Sequence, residues 1–197
     1  MKNIIVNGTK LSRSELIAVG ELLFLTDEEI YPTAFDNAKN MGMVFPYLAS
    51  IKGNFFEAKN LFVRKVNDTI AGVLVGCRNA KWNCGTLKKV FTTCGLPVPL
   101  GSAHTEQHYF SYEADHETGD FILCISVAPI FRAQGIGKSL LMHYLSDKTE
   151  VTLECLQSNF KALSLYKTCG FVKISEYAGY SALGNYPVMV CRLLYRA

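Results

Sequence analysis

The residues with the clearest chemical potential lie together at Arg132-Ala133-Gln134-Gly135-Ile136-Gly137-Lys138-Ser139. They follow an almost wholly apolar run, Phe121–Val127, and a proline, Pro129, and they lead into apolar residues at helical spacing, Ile136, Leu140, Leu141, Tyr144 and Leu145. That pattern reads as a buried strand, a tight glycine turn and a helix start. Successive backbone N–H groups converge in such a turn. Unpaired amides and a partial charge of about +0.5 at the helix N-terminus favour an anion there, typically a phosphate. Gly137-Lys138-Ser139 superficially matches the end of a nucleotide P-loop, G-x-x-x-x-G-K-[ST]. The first glycine of that motif would fall at Arg132, so the match fails and nucleotide hydrolysis is set aside.

A second pattern lies downstream, Asn159-x-x-Ala162-x-x-Leu165-Tyr166-x-x-x-Gly170-Phe171. Arg132-x-x-Gly135-x-Gly137 and this pattern resemble the two signatures of the GCN5-related N-acetyltransferase (GNAT) superfamily, R/Q-x-x-G-x-G/A and N-x-x-A-x-x-L-Y-x-x-x-G-F, at every position. The 21 residues between Gly137 and Asn159 suit the helix–strand insert of that family. The resemblance is strong over about 121–177, weaker over the N-terminal strand, helix and hairpin, and absent over 77–119. It implies that acetyl-CoA is the cosubstrate. The amides of Arg132, Ala133, Gln134, Gly135, Ile136 and Gly137, with Lys138 and Ser139 at the helix start, would hold its pyrophosphate. The main chain of Ile125 and Val127 would pair with the pantetheine arm, and Asn159 would contact that arm. Tyr166 would approach the thioester sulfur as general acid. Each residue also has a plain structural reading: a tight turn, a helix N-cap at Asn159, and a core tyrosine beside Phe160 and Leu163.

The acceptor makes the larger chemical demand. An alkylammonium of pKa about 10.4 must lose a proton at pH 7, at a cost of roughly 4.6 kcal/mol, which calls for a base. Many members of the resembled family carry a glutamate on the strand before the turn; here the matching region is Leu123-Cys124 and Phe121–Val127 has no carboxylate. Candidates are Glu113, His116, Glu117 and Asp120 just upstream, or Glu28 and Glu29 after the first helix, and each also reads as part of a solvated acidic loop. His104 and His108, with Glu106 between them, lack H-E-x-x-H spacing and read as surface polar residues; no metal is expected. Cys124 and Cys155 read as buried, inert thiols rather than acyl carriers. Two functions stay open. One is an N-acetyltransferase whose primary-amine acceptor, a small molecule or a protein amine, attacks the thioester directly in a ternary complex. The other is a non-catalytic acyl-CoA-binding module: the missing strand carboxylate favours it, and the retained Tyr166 favours the enzyme.

The elements that position these residues follow from periodicity. Asn3–Val6 is a short strand, and Ser12 with Glu15 forms a capping box before a helix reaching about Leu25. A weaker helical segment over Ala34–Ser50 is interrupted by Gly42 and Pro46. Leu61–Val66 and Thr69–Gly76 form a hairpin about Asn67-Asp68. Residues 77–119 are irregular, yet too long for a plain loop. The helix after the glycine turn ends near Asp147, and Val151–Leu156 is the next strand. A helix over Asn159–Thr168 stops at Gly170. Strands Phe171–Tyr177 and Val188–Leu194, joined by a Gly- and Tyr-rich loop, close the chain. The strand–helix–strand order from Phe121 onward is a right-handed crossover, so those two strands are parallel. The fold class is therefore α/β, and the resemblance makes it the GNAT fold: a mixed, mostly antiparallel sheet with one parallel pair at the cofactor site, flanked by helices. One domain over 1–197 is expected, with an irregular insertion at about 77–119 that shapes the acceptor pocket together with the Tyr177–Tyr186 loop.

The bulk properties exclude several partners. A net charge of +3 is too small to argue for nucleic acid or a membrane surface. The apolar run near the N-terminus breaks off after three residues, Ile4–Val6, which is no signal-peptide pattern. Seven scattered cysteines without C-x-x-C spacing suit free thiols in a reducing cytoplasm. The sequence leaves oligomeric state open, a homodimer included.

Overall fold

The computed structural model describes residues 3–110, 119–180 and 187–197. Seven strands form one sheet: β1 (Asn3–Asn7), β2 (Leu61–Val66), β3 (Thr69–Arg78), β4 (Asp120–Val127), β5 (Glu150–Leu156), β6 (Val172–Tyr180) and β7 (Pro187–Arg196). Across the sheet they run β1-β2-β3-β4-β5-β7-β6. Every neighbouring pair is antiparallel except β4 with β5, as the crossover order requires. The β2–β3 turn is the expected one, with Asn67 and Asp68 at φ 48° and 64°.

Helices cover both faces. On one side α1 (Arg13–Leu23), α2 (Ile30–Phe35), α3 (Ala38–Ser50) and α4 (Thr86–Thr93) enclose an aromatic-rich core that includes Phe35, Phe45, Phe56, Trp82 and Phe91. A short α5 (Ser102–Thr105) continues into a π-helical turn, Glu106–Phe110. On the other side α6 (Ile136–Leu145) and α7 (Phe160–Thr168) pack Leu140, Leu141, Tyr144 and Tyr166 against Leu153, Phe171 and Cys191.

β4 serves both cores, and a bulge makes that possible. Val75 pairs with Cys124 and Gly76 with Ile122, so Leu123 is an extra residue on β4. A bulge of this kind places two consecutive residues opposite one and re-aims their side chains. Leu123 and Cys124 accordingly both pack on the α1–α3 side, while Ile122, Ile125 and Val127 pack on the α6–α7 side.

The Ser12–Glu15 capping box forms in full. The interrupted helix expected over Ala34–Ser50 is instead two helices, and α3 runs unbroken through Gly42 and Pro46. Gly42 is an approach point rather than a break: a Cβ there would meet Glu21 Cγ at 2.7 Å, and one on Gly20 of α1 would meet Phe45 Cβ at 2.6 Å. Tyr31-Pro32 lies within the first turn of α2, where an N–H has no intrahelical partner to lose. The final strands extend beyond their expected ends, to Tyr180 and from Pro187 to Arg196. The tip of the Gly- and Tyr-rich loop, 181–186, lies outside the described residues, as do Glu113, His116 and Glu117. Among the described residues no helix is long and apolar enough to cross a membrane.

Candidate functional site

The turn after β4 is built almost entirely from backbone. The Ala128 N–H donates to Ala71 O at 3.0 Å, which ties the strand exit to β3, and the Phe131 N–H closes a 3-10 turn on Ala128 O at 2.8 Å. Ala133 and Gly135 then take φ of 60° and 74°. Nothing lies within 4 Å of a Cβ on Gly135, so its left-handed conformation, not lack of space, calls for glycine. Gly135 is also the N-cap of α6, and no side chain caps that helix. Among the described residues no acceptor serves the amides of Ala133, Gln134, Gly135, Ile136, Gly137 and Lys138; the next amide, Ser139, donates to Gly135 O at 2.9 Å. The Ser139 hydroxyl is buried without a partner. Arg132 Nε donates to Val127 O at 3.3 Å and Gln134 Nε2 to Ile130 O at 3.1 Å, so both side chains fold back onto carbonyls of their own segment.

Beside this turn β4 has an open edge. Its parallel ladder with β5 consists of Phe121 with Thr152 and Ile122 with Leu153. From Leu123 to Val127 its ladder partners are on β3 alone. The side chains of Ile125 and Val127 are committed to the core, so their backbone is what a ligand could read, in the manner of an added strand. A Cβ on Gly137 would meet Leu165 at 3.4 Å, ordinary contact that links the helix start to α7. Asn159 caps α7, its Oδ1 accepting the Ala162 N–H at 3.1 Å.

Tyr31 and Cys124, from different elements, meet at the middle of β4, and the Tyr166 hydroxyl lies near enough to feel the Cys124 thiol. The bulge turns Cys124 toward α2, where the Tyr31 hydroxyl lies 4.0 Å from its Sγ. Burial pushes the Cys124 thiol up to about 12 and the Tyr31 hydroxyl well above the ordinary tyrosine range. Tyr166, on α7 and only 9% exposed, packs edge-on against Phe171 with ring centroids 5.8 Å apart. Burial raises its hydroxyl far above its usual value, with the Cys155 and Cys124 thiols acting in the same direction. Near neutral pH it is an uncharged O–H donor. Burial also lifts Cys155, to about 11. Neither thiol supplies a thiolate nucleophile at that pH.

Residues 100–173 match a family model described as Acetyltransferase (GNAT) domain. Solved structures align over nearly the whole chain. One titled simply acetyltransferase is 18% identical with a TM-score of 0.68, covering 98% of each chain. The chain has the GNAT fold. An N-acetyltransferase from Staphylococcus aureus Mu50 aligns at 16% identity and TM-score 0.64, over 97% of this chain and 99% of that one. The ribosomal-protein-S18-alanine N-acetyltransferase from Escherichia coli aligns at 15% identity and TM-score 0.58, over 99% and 94%. No functionally curated protein matches the sequence. The resemblance to GNAT enzymes read from the two motifs is thus borne out, as is the GNAT fold class.

Within the GNAT frame, the base candidates separate by position. Asp120 opens β4, only 9% exposed, bonded to Arg78 at 2.5 Å and 3.9 Å from the Lys148 ammonium. Seven residues of strand, roughly 23 Å, separate it from Val127, and its charge is already answered. Glu28 is exposed, while Glu29 is the N-cap residue of α2. The residue that sequence reasoning passed over is their neighbour Asp27. Its Oδ1 accepts the Glu29 and Ile30 N–H groups at 2.8 and 2.6 Å, and its carboxylate acts on the Cys124 thiol. An Asp three residues before an apolar helical run was the available signal.

His104 and His108 lie on helical backbone, with ring centroids 4.5 Å apart. Glu106 between them turns inward instead. It is 2% exposed and accepts Trp82 Nε1 at 3.1 Å, the Gly85 N–H at 2.8 Å and the Leu87 N–H at 2.7 Å, which caps α4. Among the described residues no three His, Cys, Asp or Glu side chains gather as metal ligands. A groove of about 490 Å³ runs between α1 and the β2–β3 turn and reaches Ala128 and Pro129. Cys124 and Tyr166 are not in its lining, so it marks the flank of the site rather than its centre.

Proposed function

We propose that the chain is an N-acetyltransferase that moves an acetyl group from acetyl-CoA to a primary amine by direct attack in a ternary complex. The observation that carries this reading is the run of unserved amides from Ala133 to Lys138 beside the open edge of β4. Six unserved donors at a helix start suit a pyrophosphate, and the buried Ser139 hydroxyl, without a partner, adds a seventh. The exposed backbone of Ile125 and Val127 suits the amide-bearing pantetheine arm. An arm laid along that edge from the turn brings its thioester to the level of Cys124, near Tyr166.

In this reading the amine lone pair forms the C–N bond while the C–S bond breaks. Tyr166 donates a hydrogen bond to the departing sulfur. Full proton transfer from so weak an acid to a thiolate of pKa about 8.5 is uphill, so the hydrogen bond itself is its contribution. Protonated Cys124 and Cys155 favour direct attack over an acyl-cysteine intermediate. One structural neighbour is a protein N-acetyltransferase, which keeps protein amines among the acceptors beside small ones. The absence of a membrane-crossing helix among the described residues and the free thiols are consistent with a cytoplasmic enzyme.

Acetyl-CoA should raise the melting temperature, and free thiol should appear when acetyl-CoA is mixed with one of a panel of amines: spermidine, lysine amide and peptides with free N-termini. Binding without thiol release from any amine would instead establish a non-catalytic acyl-CoA-binding module, which the lack of a carboxylate over Phe121–Val127 favours. Absence of binding would sink both readings.

A further inference from the structure

We infer that Asp27 receives the acceptor's ammonium and takes its proton, an assignment that rests on the transferase reading above. The transferase chemistry needs a base, and β4 supplies none. The bulge at Leu123 turns Cys124 to the α1–α2 side at the level where the β4–β5 ladder opens, so the acyl carbon and whatever attacks it meet on that side. The segment between α1 and α2 lies over this point: Tyr31 reaches Cys124, and Thr26 is anchored to Leu23 O at 2.7 Å.

Asp27 is held for the task. The two α2 amides fix Oδ1, and Oδ2 has no hydrogen-bond partner among the described residues. No Lys, Arg or His pairs with it there. The described carboxylates that answer other charges are different: Asp120 faces Arg78 and Lys148, and Glu15 faces Lys65. The titratable groups around Asp27 are Cys124 on β4 and Tyr31 on α2, with Tyr109 and Tyr166 behind them and Glu28 and Glu29 on its own segment. Among the described residues none of the groups facing it is a cation, so a partly buried anion is left for a positive ligand to answer.

The protons and electrons balance. One proton passes from the ammonium to Asp27 and on to solvent, which frees the lone pair. That pair forms the C–N bond as the C–S pair leaves with sulfur, and the second nitrogen proton follows by the same route. CoA departs as thiolate, hydrogen-bonded by Tyr166.

The test is Asp27→Asn, because Asn Oδ1 can still accept both α2 amides and the helix start is kept. With the panel amine that turns over, kcat/KM at pH 7 should fall about 100-fold or more. The KM for acetyl-CoA and its thermal shift should stay as they were. The deficit should narrow as pH rises toward 10, because free amine then no longer needs a base. Asp27→Ala, which also loses the cap, should show the same kinetic deficit plus a lower melting temperature. A deficit equal at every pH, or none, would overturn the assignment while leaving the transferase reading intact. No thiol release from the unsubstituted chain with any amine would overturn that reading and this assignment together.

Discussion

Two helices in this molecule begin alike and end up opposite. Both α4 and α6 start at a glycine with positive φ, Gly85 at 89° and Gly135 at 74°, and neither glycine offers a capping side chain. At α4 the chain supplies its own anion: the buried Glu106 carboxylate takes the Gly85 and Leu87 amides. At α6 it supplies nothing, and the amides from Ala133 to Lys138 wait. Buried polar donors are rarely left unserved, and these sit on an exposed turn where an anion can reach them. On the proposed reading, the difference separates a structural helix start from one that takes the pyrophosphate of acetyl-CoA.

The comparison can be broken most severely at α4. Glu106→Ala leaves three N–H donors without their acceptor, and the two buried ones, Trp82 Nε1 and the Leu87 amide, are worth about 1–3 kcal/mol each. A loss of about 3 kcal/mol or more is expected, a fall of roughly 6–12 °C in melting temperature for a chain of this size. Differential scanning calorimetry checks it, and the stabilisation conferred by acetyl-CoA should survive in the variant. At α6 the reverse substitution, Gly135→Asp, places a carboxylate where the proposed pyrophosphate belongs. Acetyl-CoA affinity should fall about tenfold or more by titration calorimetry. Unchanged affinity would mean that the open amides are not the cofactor site.

Smaller effects sharpen the picture. Tyr166→Phe removes one hydrogen bond to the leaving sulfur, so kcat should drop roughly threefold to tenfold with acetyl-CoA binding kept. The helix start at α1 is an intermediate case, capped by Ser12 and by a carboxylate that titrates. Lys65 first, then the Ser12 amide, holds the Glu15 carboxyl down at about 2. A group depressed in this way contributes stability above its unfolded pKa of about 4.3 and loses it as pH falls from there to about 2. Thermal melts should therefore show a decline over that window, shallower in Glu15→Gln.

How much of this was legible beforehand depended on the range of the interactions. The glycine turn, the Asn159 cap, the Asn67-Asp68 hairpin and the Ser12–Glu15 box are settled by residues within a few positions of each other, and each was readable. Gly42 misled, because the close crossing with Gly20 of α1 decides its place and lies over twenty residues away. Glu106 read as a surface residue between two histidines, because nothing local says that Trp82 and two α4 amides would surround it. Asp27 was passed over for Glu28 and Glu29, which the same acidic run offers with more side-chain reach.

The sequence by itself determined what kind of turn follows β4 and the motif pair that carries the GNAT resemblance. Both are backbone conformations dictated by glycine, proline and apolar periodicity at short range. Only the tertiary structure decided which carboxylates are already answered by cations or amides and which one faces Cys124. Charge pairing and burial are set by elements brought together from distant parts of the chain, and a bulge of one residue in β4 is enough to choose the face on which they meet.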